Sequence, residues 1–231
     1  FDNTRRNMLF YAPTPGGFAP TSYWWINLPG KVTNRGWEFT LNWRAIDGPK
    51  FKWDINANMT RVKNNITGLP TPINTGAVSG QGLTGAFAQT LTNGSPIFTW
   101  SMPVFQGFDG NGNARYANGA ANQLVGTALP SLFAGLTNTF TYGPWNLSIF
   151  FTGMKDFYVY NNTANALFLK GSLRNARNVT NEVGNGPENP FNPGSVSTRF
   201  LEKGDFIRLA NMNLNYTFAV KSKAIRSLTL F

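Results

Sequence analysis

Hydrophobic and polar residues alternate strictly in the stretch 37–62. Apolar side chains occupy every second position before a turn with the sequence DGPK, and again after it. Because successive side chains of a strand point to opposite faces, this period of two predicts two antiparallel strands, each with one apolar and one polar face. A loop of about three residues keeps both apolar rows on one face. Two registers meet this condition, since either Trp43 lies opposite Trp53 or Arg44 lies opposite Asp54.

The same alternation recurs along the rest of the chain. Further alternating segments lie at 98–104, 145–152 and 210–218, weaker ones at 85–91 and 132–142, and shortened ones at 1–11 and 227–231. No segment repeats apolar residues convincingly at the spacing of a helix. Together with the first two strands, these segments predict an all-β chain of about nine strands.

The connections between these strands alternate in length. Short links contain Gly, Pro or Asn at turn positions, at 47–49, 93–95 and 143–144. Long links rich in Gly, Asn and Pro lie between them, at 12–30, 64–83, 108–130 and 155–203. In an up-and-down meander this order places the short turns at one end of the sheet and the long loops at the other. That asymmetry is typical of a transmembrane antiparallel β-barrel with short periplasmic turns and long extracellular loops.

The composition excludes most kinds of catalytic site. The chain has no Cys and no His, which removes disulfides, thiol nucleophiles, zinc sites and Ser-His-Asp triads. Glu202 and Asp205 lie close together in the sequence, but we interpret them as the start of a strand with Lys203 and Arg208 as ionic partners, rather than as a glycosidase pair. We therefore predict a protein that is not an enzyme and that has no cofactor and no metal site.

The charge pattern argues against a nucleic-acid partner. The net charge is +10, but the twenty Lys and Arg are scattered in ones and twos and form no continuous basic stripe. Charged residues make up only 13% of the chain, and no apolar run of about 18 residues predicts a transmembrane helix. A barrel strand needs only about ten residues of alternation, so a membrane protein remains compatible with the mean hydropathy of -0.23.

The apolar face of the predicted sheet contacts either a protein core or lipid. A soluble sandwich turns it inward, whereas an outer-membrane barrel turns it to lipid and lines a wet lumen with the polar face. The sorted loops, the low charge and the aromatic residues near strand ends favour lipid. We therefore predict lipid contact for odd-numbered residues at 37–59 and 145–151 and for even-numbered residues at 98–104 and 210–218. The predicted aromatic girdle consists of Trp37, Trp43, Trp53, Trp100, Trp145 and Tyr216, and the predicted lumen-facing charges are Glu38, Arg44, Lys52, Asp54 and Arg61.

Two further groups of residues leave alternatives open. The segment 109–113, with the sequence DGNGN, is similar to the first half of a calcium-binding loop, but the twelfth position is Ala120 instead of the closing Glu, and a tight turn explains the same residues. The basic residues Arg5, Arg6, Lys221 and Lys223 either contact the phosphates of lipid or lipopolysaccharide or are simply solvated.

Four phrases of the sequence together indicate a family. These are GKVTNRGWEFTL (30–41), FDGNGN (108–113), LTNTFTYGPWNLSIFFTG (136–153) and EKGDFIRLANMNLNYTF (202–218). In this order and spacing they resemble the C-terminal barrel portion of SusC-like (SusC/RagA) TonB-dependent outer-membrane transporters. The resemblance runs over nearly the whole chain and implies a 22-stranded plugged barrel. Residues 1–231 would then be a partial C-terminal barrel, with the plug, the TonB box and the last strand absent from it.

The resemblance also implies a function and partners. It implies the import of nutrient oligomers, either glycans or peptides, across the outer membrane of a Gram-negative bacterium. A SusD-like surface lipoprotein would form a lid over the long loops, and the TonB complex would act through the N-terminal part of the full protein. Outer-membrane lipid and lipopolysaccharide would surround the barrel. The alternatives are a passive porin or adhesin barrel, and a soluble carbohydrate-binding β-sandwich.

Overall fold

The computed structural model describes residues 1–13, 23–80, 82–219 and 227–230. These residues are mainly antiparallel strands, as the alternating pattern predicts. The strands are β1 (Asp2–Pro13), β2 (Tyr23–Asp47), β3 (Phe51–Thr67), β4 (Ile73–Ala77), β5 (Phe87–Leu91), β6 (Thr99–Met102), β7 (Phe105–Phe108), β8 (Ala114–Tyr116), β9 (Gln123–Thr127), β10 (Leu132–Tyr142), β11 (Trp145–Lys155), β12 (Tyr158–Tyr160), β13 (Leu201–Lys203), β14 (Phe206–Ala219) and β15 (Ser227–Leu230). Short helices α1 (Asn162–Leu167) and α2 (Asn181–Asn185) and 3₁₀ turns at Ala117–Ala120, Lys170–Asn175 and Thr198–Phe200 lie in the connections. None of the helices in these residues has the length and apolar character needed to cross a membrane.

Seven of the described strands form one sheet, which we call the long sheet. Its order is β1-β2-β3-β10-β11-β14-β15, and each neighbouring pair is antiparallel. Strands β10 and β11 contain 11 residues each, while β2 contains 25. Because a strand rises about 3.3 Å per residue, β2 extends far beyond β10 and β11 at the end where the long connections lie, and β1 pairs with it up to Tyr23.

The first hairpin adopts one of the two predicted registers. Arg44 lies opposite Asp54, and the register continues through Trp43 opposite Ile55. A β-bulge between Arg44 and Ile46 then shifts the pairing by one residue. The prediction that Ala45 continues the apolar row is therefore wrong, since Ile46 takes that place opposite Trp53. A bulge adds one unpaired residue to one strand and cannot be seen in a period-two pattern.

A second bulge changes the facing residues of β14. Phe150 pairs with Asn211, but its neighbour Phe151 pairs with Leu209, so one residue of β14 is unpaired between them. The predicted even-numbered apolar row is correct for 212–218. Before the bulge the row continues on odd-numbered residues, namely Ile207 and Leu209, because the extra residue inverts the alternation.

Two of the nine predicted strands lie outside the long sheet. The segments predicted at 85–91 and 98–104 form β5 and β6, which pair in a four-stranded sheet of order β4-β5-β6-β9. Strand β6 contains four residues, about 13 Å of chain, whereas a membrane-crossing strand uses about 9–11 residues. The prediction that 98–104 crosses a membrane is therefore wrong.

The short and long connections sort to opposite ends as the sequence predicts, but the predicted long link 12–30 is wrong in its bounds, since residues 23–30 belong to β2. The short links at 48–50 and 143–144 lie at one end of the long sheet, and the long connections at 68–131 and 156–205 lie at the other end. The predicted tight link at 93–95 belongs to the small sheet instead, between β5 and β6.

The two long connections fold into a module with its own core. One buried cluster contains Ala88, Trp100 and Met102, with partly buried Tyr158, Tyr160, Val196 and Leu201 packed against it. A second cluster contains Leu28, Val32, Ile66, Leu69 and Leu91, so it joins the first long connection to β2 and β3. Val32 and Ile66 are paired in the long sheet and lie on the same face as the polar row of the hairpin. The module, which we call the loop module, therefore packs on the polar face of the long sheet.

Candidate functional site

One face of the long sheet is an apolar belt that runs across six neighbouring strands. Its members alternate with polar residues and share one side of every pairing in the sheet. The exposed members are Trp37, Phe39, Leu41, Trp43, Ile46, Leu136, Tyr142, Trp145, Phe151, Ile207, Leu209, Met212, Leu214, Phe218, Leu228 and Leu230. A water-soluble monomer rarely exposes a contiguous apolar patch of more than a few hundred Å². The apolar belt therefore requires a nonpolar environment.

Aromatic rings concentrate at the end of the belt next to the short turns. Trp53 stacks on Phe140 with ring centroids 5.7 Å apart, and Trp145 meets Tyr216 edge to face at 4.6 Å. Trp53 also donates its indole N–H to the Asn138 side-chain oxygen at 3.1 Å. Such rings have an apolar body and a polar tip, which suits a boundary between water and lipid.

The predicted girdle residues do not all belong to this row. Trp43, Trp53, Trp145 and Tyr216 lie near the short turns, and Trp37 lies on the same face at the opposite margin of the belt. The prediction of lipid contact for Trp100 is wrong, because Trp100 is buried in the loop module and donates its indole N–H to the Tyr158 carbonyl at 3.1 Å. Alternation around Trp100 reflects a small internal sheet instead.

The opposite face of the long sheet is polar and carries a compact charge cluster near the short turns. The Arg44 side chain lies 2.8 Å from Asp54 and 3.7 Å from Asp47, and Lys52 lies 3.3 Å from Asp47. Glu38 shares this face further along β2, opposite Thr60. Because two cations and two anions balance, the cluster offers hydrogen-bonding groups without a strong net field.

Amides and hydroxyls fill the rest of the polar face. The Asn64 side chain donates to Asn34 at 2.6 Å, and Asn146 donates to Thr141 at 3.0 Å. The register also places Asn42 opposite Asn56. These neutral polar groups form a wettable surface with many hydrogen-bond donors and acceptors.

The predicted lumen-facing residue Arg61 lies on the other face. It pairs with Trp37 on one side and with Leu132 on the other, and both of these belong to the side of the apolar belt. The prediction that Arg61 shares a face with Asp54 is therefore wrong. The sequence already indicated the correct face, because β3 has no bulge and Arg61, as an odd-numbered residue, lies on the same face as Trp53 and Met59.

The other basic residues considered from the sequence divide between the two faces. Arg6 lies opposite Lys31, on the side of Trp37, whereas Arg5 lies opposite the buried Val32 on the polar side. Lys221 and Lys223 lie outside the described residues.

Polar contacts hold the two halves of the loop module together. The Phe105 amide donates to the Thr198 hydroxyl at 2.9 Å, and Tyr116 and Ser195 share a hydroxyl hydrogen bond of 2.8 Å. The Gly112 carbonyl accepts hydrogen bonds from the Asn189 amide and the Asn192 side chain, both at 2.8 Å. The connections 68–131 and 156–205 therefore behave as one folded unit.

A buried ion pair lies inside this unit. Both carboxylate oxygens of Glu188 accept hydrogen bonds from Arg199, at 2.6 and 2.8 Å, and Glu188 is 4% exposed. The Arg199 guanidinium also lies 5.0 Å from the ring centroids of Phe108 and Phe200, within cation-π distance. Sequence reasoning missed this pair, because both residues fall in a long segment without periodic pattern.

A partly buried phenol lies next to a fully buried amide in the same unit. The Asn165 side chain donates to the Tyr160 hydroxyl at 2.7 Å, and burial raises the pKa of Tyr160 to about 12. The phenol consequently stays neutral at physiological pH and serves as a hydrogen-bonding group rather than as an acid-base catalyst.

The Asp109 turn has the geometry of the tight-turn alternative. The Asp109 carboxylate accepts backbone N–H bonds from Asn111 and Asn113 at 2.9 and 2.8 Å, and a side-chain bond from Asn113 at 3.2 Å. The backbone hydrogen bond from Asn113 lowers the pKa of Asp109 below its ordinary value. Both oxygens thus already bind donors of the turn, as in an Asx turn.

The carboxylates at 202 and 205 serve separate structural contacts. Glu202 accepts from the Asn161 side chain at 2.8 Å, while Asp205 accepts from the Asp156 amide at 2.8 Å and pairs with Lys203 at 3.2 Å. The Lys203 partner agrees with the prediction, whereas the predicted Arg208 forms no ion pair with any described residue.

One part of the loop module exposes large apolar side chains. Leu167, Leu173 and Phe191 are exposed, and the Arg174 guanidinium lies 3.9 Å from the centroid of the Phe191 ring. Phe191 and Arg174 line a cleft of about 310 Å³, together with Leu169, Pro193 and Gly194. We call this area the Phe191 surface.

Comparisons with known proteins agree with this architecture. No family model matches the chain. TonB-dependent receptor P3 of Formosa agariphila is 24% identical over 243 residues, which cover 91% of this chain and 24% of that protein. TonB-dependent receptor P26 of the same organism is 27% identical over 233 residues, which cover 83% of this chain and 22% of that protein. The chain thus spans about a quarter of the length of these curated relatives.

Two solved structures share the fold. The RagAB peptide transporter superposes with a TM-score of 0.74 over 99% of this chain and 29% of that chain, at 17% identity. The RagAB peptide importer in the "closed-closed" state superposes with a TM-score of 0.71 over 100% of this chain and 29% of that chain, also at 17% identity. The resemblance to SusC-like TonB-dependent transporters is confirmed. The relatives and structural neighbours of this chain are named as receptors, a transporter and an importer, not as enzymes.

Proposed function

We propose that this chain forms one arc of the barrel wall of a TonB-dependent outer-membrane importer for nutrient oligomers. The apolar belt carries the proposal, since it covers one face of the long sheet while the other face is polar and bears the loop module. In this arrangement the belt contacts lipid and the polar face lines the lumen. Strands β10 and β11 contain 11 residues each, which matches the about 9–11 residues of a tilted membrane-crossing strand.

The polar face supplies a surface suited to oligomers with many hydrogen-bonding groups. Glu38, Arg44, Lys52 and Asp54 line the lumen in this proposal and contact either the plug or the passing substrate. The amides and hydroxyls around them bind glycans or peptide backbones without requiring one charge sign. Both substrate classes fit this surface, and the RagAB structures concern a peptide transporter.

The loop module is the proposed docking platform for a SusD-like surface lipoprotein. Its Phe191 surface combines exposed apolar side chains with the Arg174 guanidinium, which is the composition of an interface hot spot. Residues 1–231 form the C-terminal part of the barrel in this proposal. The plug, the TonB box that engages the TonB complex, and the last strand belong to other parts of the full-length protein.

An uptake assay tests this proposal. The full-length gene is deleted from its host, and uptake of labelled glycan and peptide oligomers is measured before and after complementation, with and without a working TonB. We expect one oligomer class to depend on both the gene and TonB. Uptake that needs the gene but not TonB supports the passive porin, and surface attachment without uptake supports the adhesin.

The platform has its own test within the full-length protein. Phe191→Ala combined with Arg174→Ala should reduce co-purification of the lipoprotein by about tenfold or more, since interface anchors of this kind contribute 1–2 kcal/mol or more. Tyr11→Ala at the far edge strand is the matched aromatic control. Equal co-purification of both variants would contradict the platform.

The soluble sandwich alternative does not fit the fold. A sandwich buries its apolar face under a second sheet, whereas the described residues place their small sheet on the polar side and leave the apolar belt exposed.

A further inference from the structure

Basic side chains border the apolar belt at the end next to the long connections. Arg61 and Lys155 both lie level with Leu132, which pairs with each of them, and Arg35 pairs with Lys63 one step further from the belt. All four point to the side of the belt by their register, and all four are exposed. We call these four residues the basic margin.

The basic margin is largely unbalanced by acids. Arg35 pairs with Asp2 at 2.8 Å, while Arg61, Lys63 and Lys155 form no ion pair with any described residue. Asp205 lies near Lys155 but is paired with Lys203 at 3.2 Å. The margin therefore presents a net positive charge at the boundary between the apolar belt and the polar region above it.

A groove opens in the belt directly below Lys155. Ala134 lies opposite Gly153 in the sheet, and these two small residues leave a depression of about 510 Å³. Leu132 and Ile207 line it, and Lys155 and Asp205 stand at its rim. Ile207 is 85% exposed and forms a projecting wall on the β14 side. Lys155 belongs both to this rim and to the basic margin, and Asp205 is already paired with Lys203. An apolar channel that opens beside the basic margin has the shape and charge of a site for an acyl chain that ends in a phosphorylated headgroup.

We propose that this groove and the basic margin bind a phosphorylated, multiply acylated glycolipid of the outer leaflet, that is, lipid A. This inference rests on the proposed function, because it requires the belt to face lipid and the long connections to face outward. One acyl chain occupies the groove over Ala134 and Gly153. A phosphate of the same molecule accepts hydrogen bonds from Arg61 and Lys155, which lie on either side of Leu132.

Lipid A fits these features better than a second protein copy. A flat apolar face packs against another protein, whereas a groove of about 510 Å³ interrupts the belt here. The basic margin beside the groove carries Arg61, Lys63 and Lys155, which suits the two phosphates of lipid A and would repel an identical copy.

Native mass spectrometry of the full-length protein tests the site. The probes are diphosphorylated lipid A, its dephosphorylated form and phosphatidylethanolamine, each titrated into protein in detergent. We expect wild type to bind diphosphorylated lipid A at least tenfold more tightly than the other two. Arg61→Ala with Lys155→Ala should weaken that binding by about thirtyfold, or about fivefold for each charge removed near the surface. Lys52→Ala, on the other face of the same strand as Arg61, is the matched control and should leave the affinity unchanged.

A second pair of variants probes the groove. Ala134→Leu fills it and should weaken binding of both phosphorylated and dephosphorylated lipid A, whereas Ala57→Leu adds the same volume elsewhere in the belt and should not. Equal affinity of wild type for all three lipids, or unchanged lipid A affinity in the double variant, would overturn the proposal. Dimers that form without lipid selectivity would also overturn it.

The outcomes separate this site from the proposed function. Loss of lipid A selectivity alongside normal oligomer uptake contradicts only the lipid site. Selective lipid A binding by a protein that imports no oligomer contradicts only the importer.

Discussion

Replacing Arg199 by Ala tests whether the buried ion pair holds the loop module together. In the wild type, Arg199 donates two hydrogen bonds to Glu188, at 2.6 and 2.8 Å. The variant leaves the Glu188 carboxylate, which is 4% exposed in the wild type, without its cation. It also removes the guanidinium from the rings of Phe108 and Phe200, which lie on different long connections.

The expected cost follows from this burial. Removing one partner of a buried ion pair destabilises a protein by about 3–5 kcal/mol, because the remaining charge is desolvated and uncompensated. We expect the lower end, about 3 kcal/mol, because the Arg199 side chain is 18% exposed and the Lys170 amide still donates to Glu188 at 3.2 Å. A loss of about 3 kcal/mol raises the population of the locally opened module about 150-fold.

Hydrogen exchange of the full-length protein in detergent measures this opening. Amides of 156–205 should exchange about 100-fold faster in Arg199→Ala, while those of β10 and β11 should not change. Lys203→Ala removes an exposed cation from the same connection and should change exchange less than fivefold, because exposed pairs contribute about 0–1 kcal/mol. Adding Glu188→Gln to Arg199→Ala should restore part of the protection, since it removes the buried charge. Exchange in Arg199→Ala that matches Lys203→Ala would refute the reasoning.

Three further predictions follow from the belt, the Asp109 turn and the joint at Gly112. In lipid with brominated chains, Trp53→Phe should remove a quenched component of the fluorescence, and Trp100→Phe should not, because Trp100 is buried in the loop module. The backbone N–H of Asn113 donates a hydrogen bond to the Asp109 carboxylate and lowers the pKa of Asp109 in the folded protein. The ionised carboxylate therefore stabilises the turn above about pH 4, the pKa in the unfolded chain, and this stabilisation is lost as the pH falls through the folded pKa. Protection of the turn amides should therefore fall below about pH 4 in wild type and stay constant in Asp109→Asn. Gly112→Ala should loosen the two long connections, because Gly112 has a φ of +77° and an added Cβ would meet the Pro187 carbonyl, whereas Gly110→Ala, with open space around it, should not.

Each of these predictions has a contradicting result. Equal quenching losses for the two Trp variants would place Trp53 away from lipid. Turn protection that is constant from pH 7 to pH 3 in wild type would show that the Asp109 carboxylate does not stabilise the turn. Equal hydrogen exchange in the two Gly variants, measured on the amides of 186–195, would mean that the packing of the two long connections does not depend on the absence of a side chain at Gly112.

The local pattern of the sequence was sufficient for the long strands of the long sheet and, between the bulges, for their two faces. Alternation between apolar and polar residues is a property of neighbouring positions, so it identified the hairpin, β10, β11 and β14 without any tertiary information. Gly and Pro likewise marked the short turns at 48–50 and 143–144, and the order of short and long links sorted the ends of the sheet. The candidate charges on the polar face, except Arg61, follow from the same count of odd and even positions.

Only the tertiary structure decided which alternating segments share a sheet and where their alternation is interrupted. The segment around Trp100 has the same pattern as a belt strand, but it is short and its apolar side is covered by Tyr158, Tyr160 and Val196, which are far away in the sequence. The bulges beside Arg44 and before Asn211 each insert one residue, and the period of two contains no mark of them. The Glu188–Arg199 pair and the groove at Ala134 and Gly153 depend on long-range packing and on register, which arise only when distant strands and loops meet.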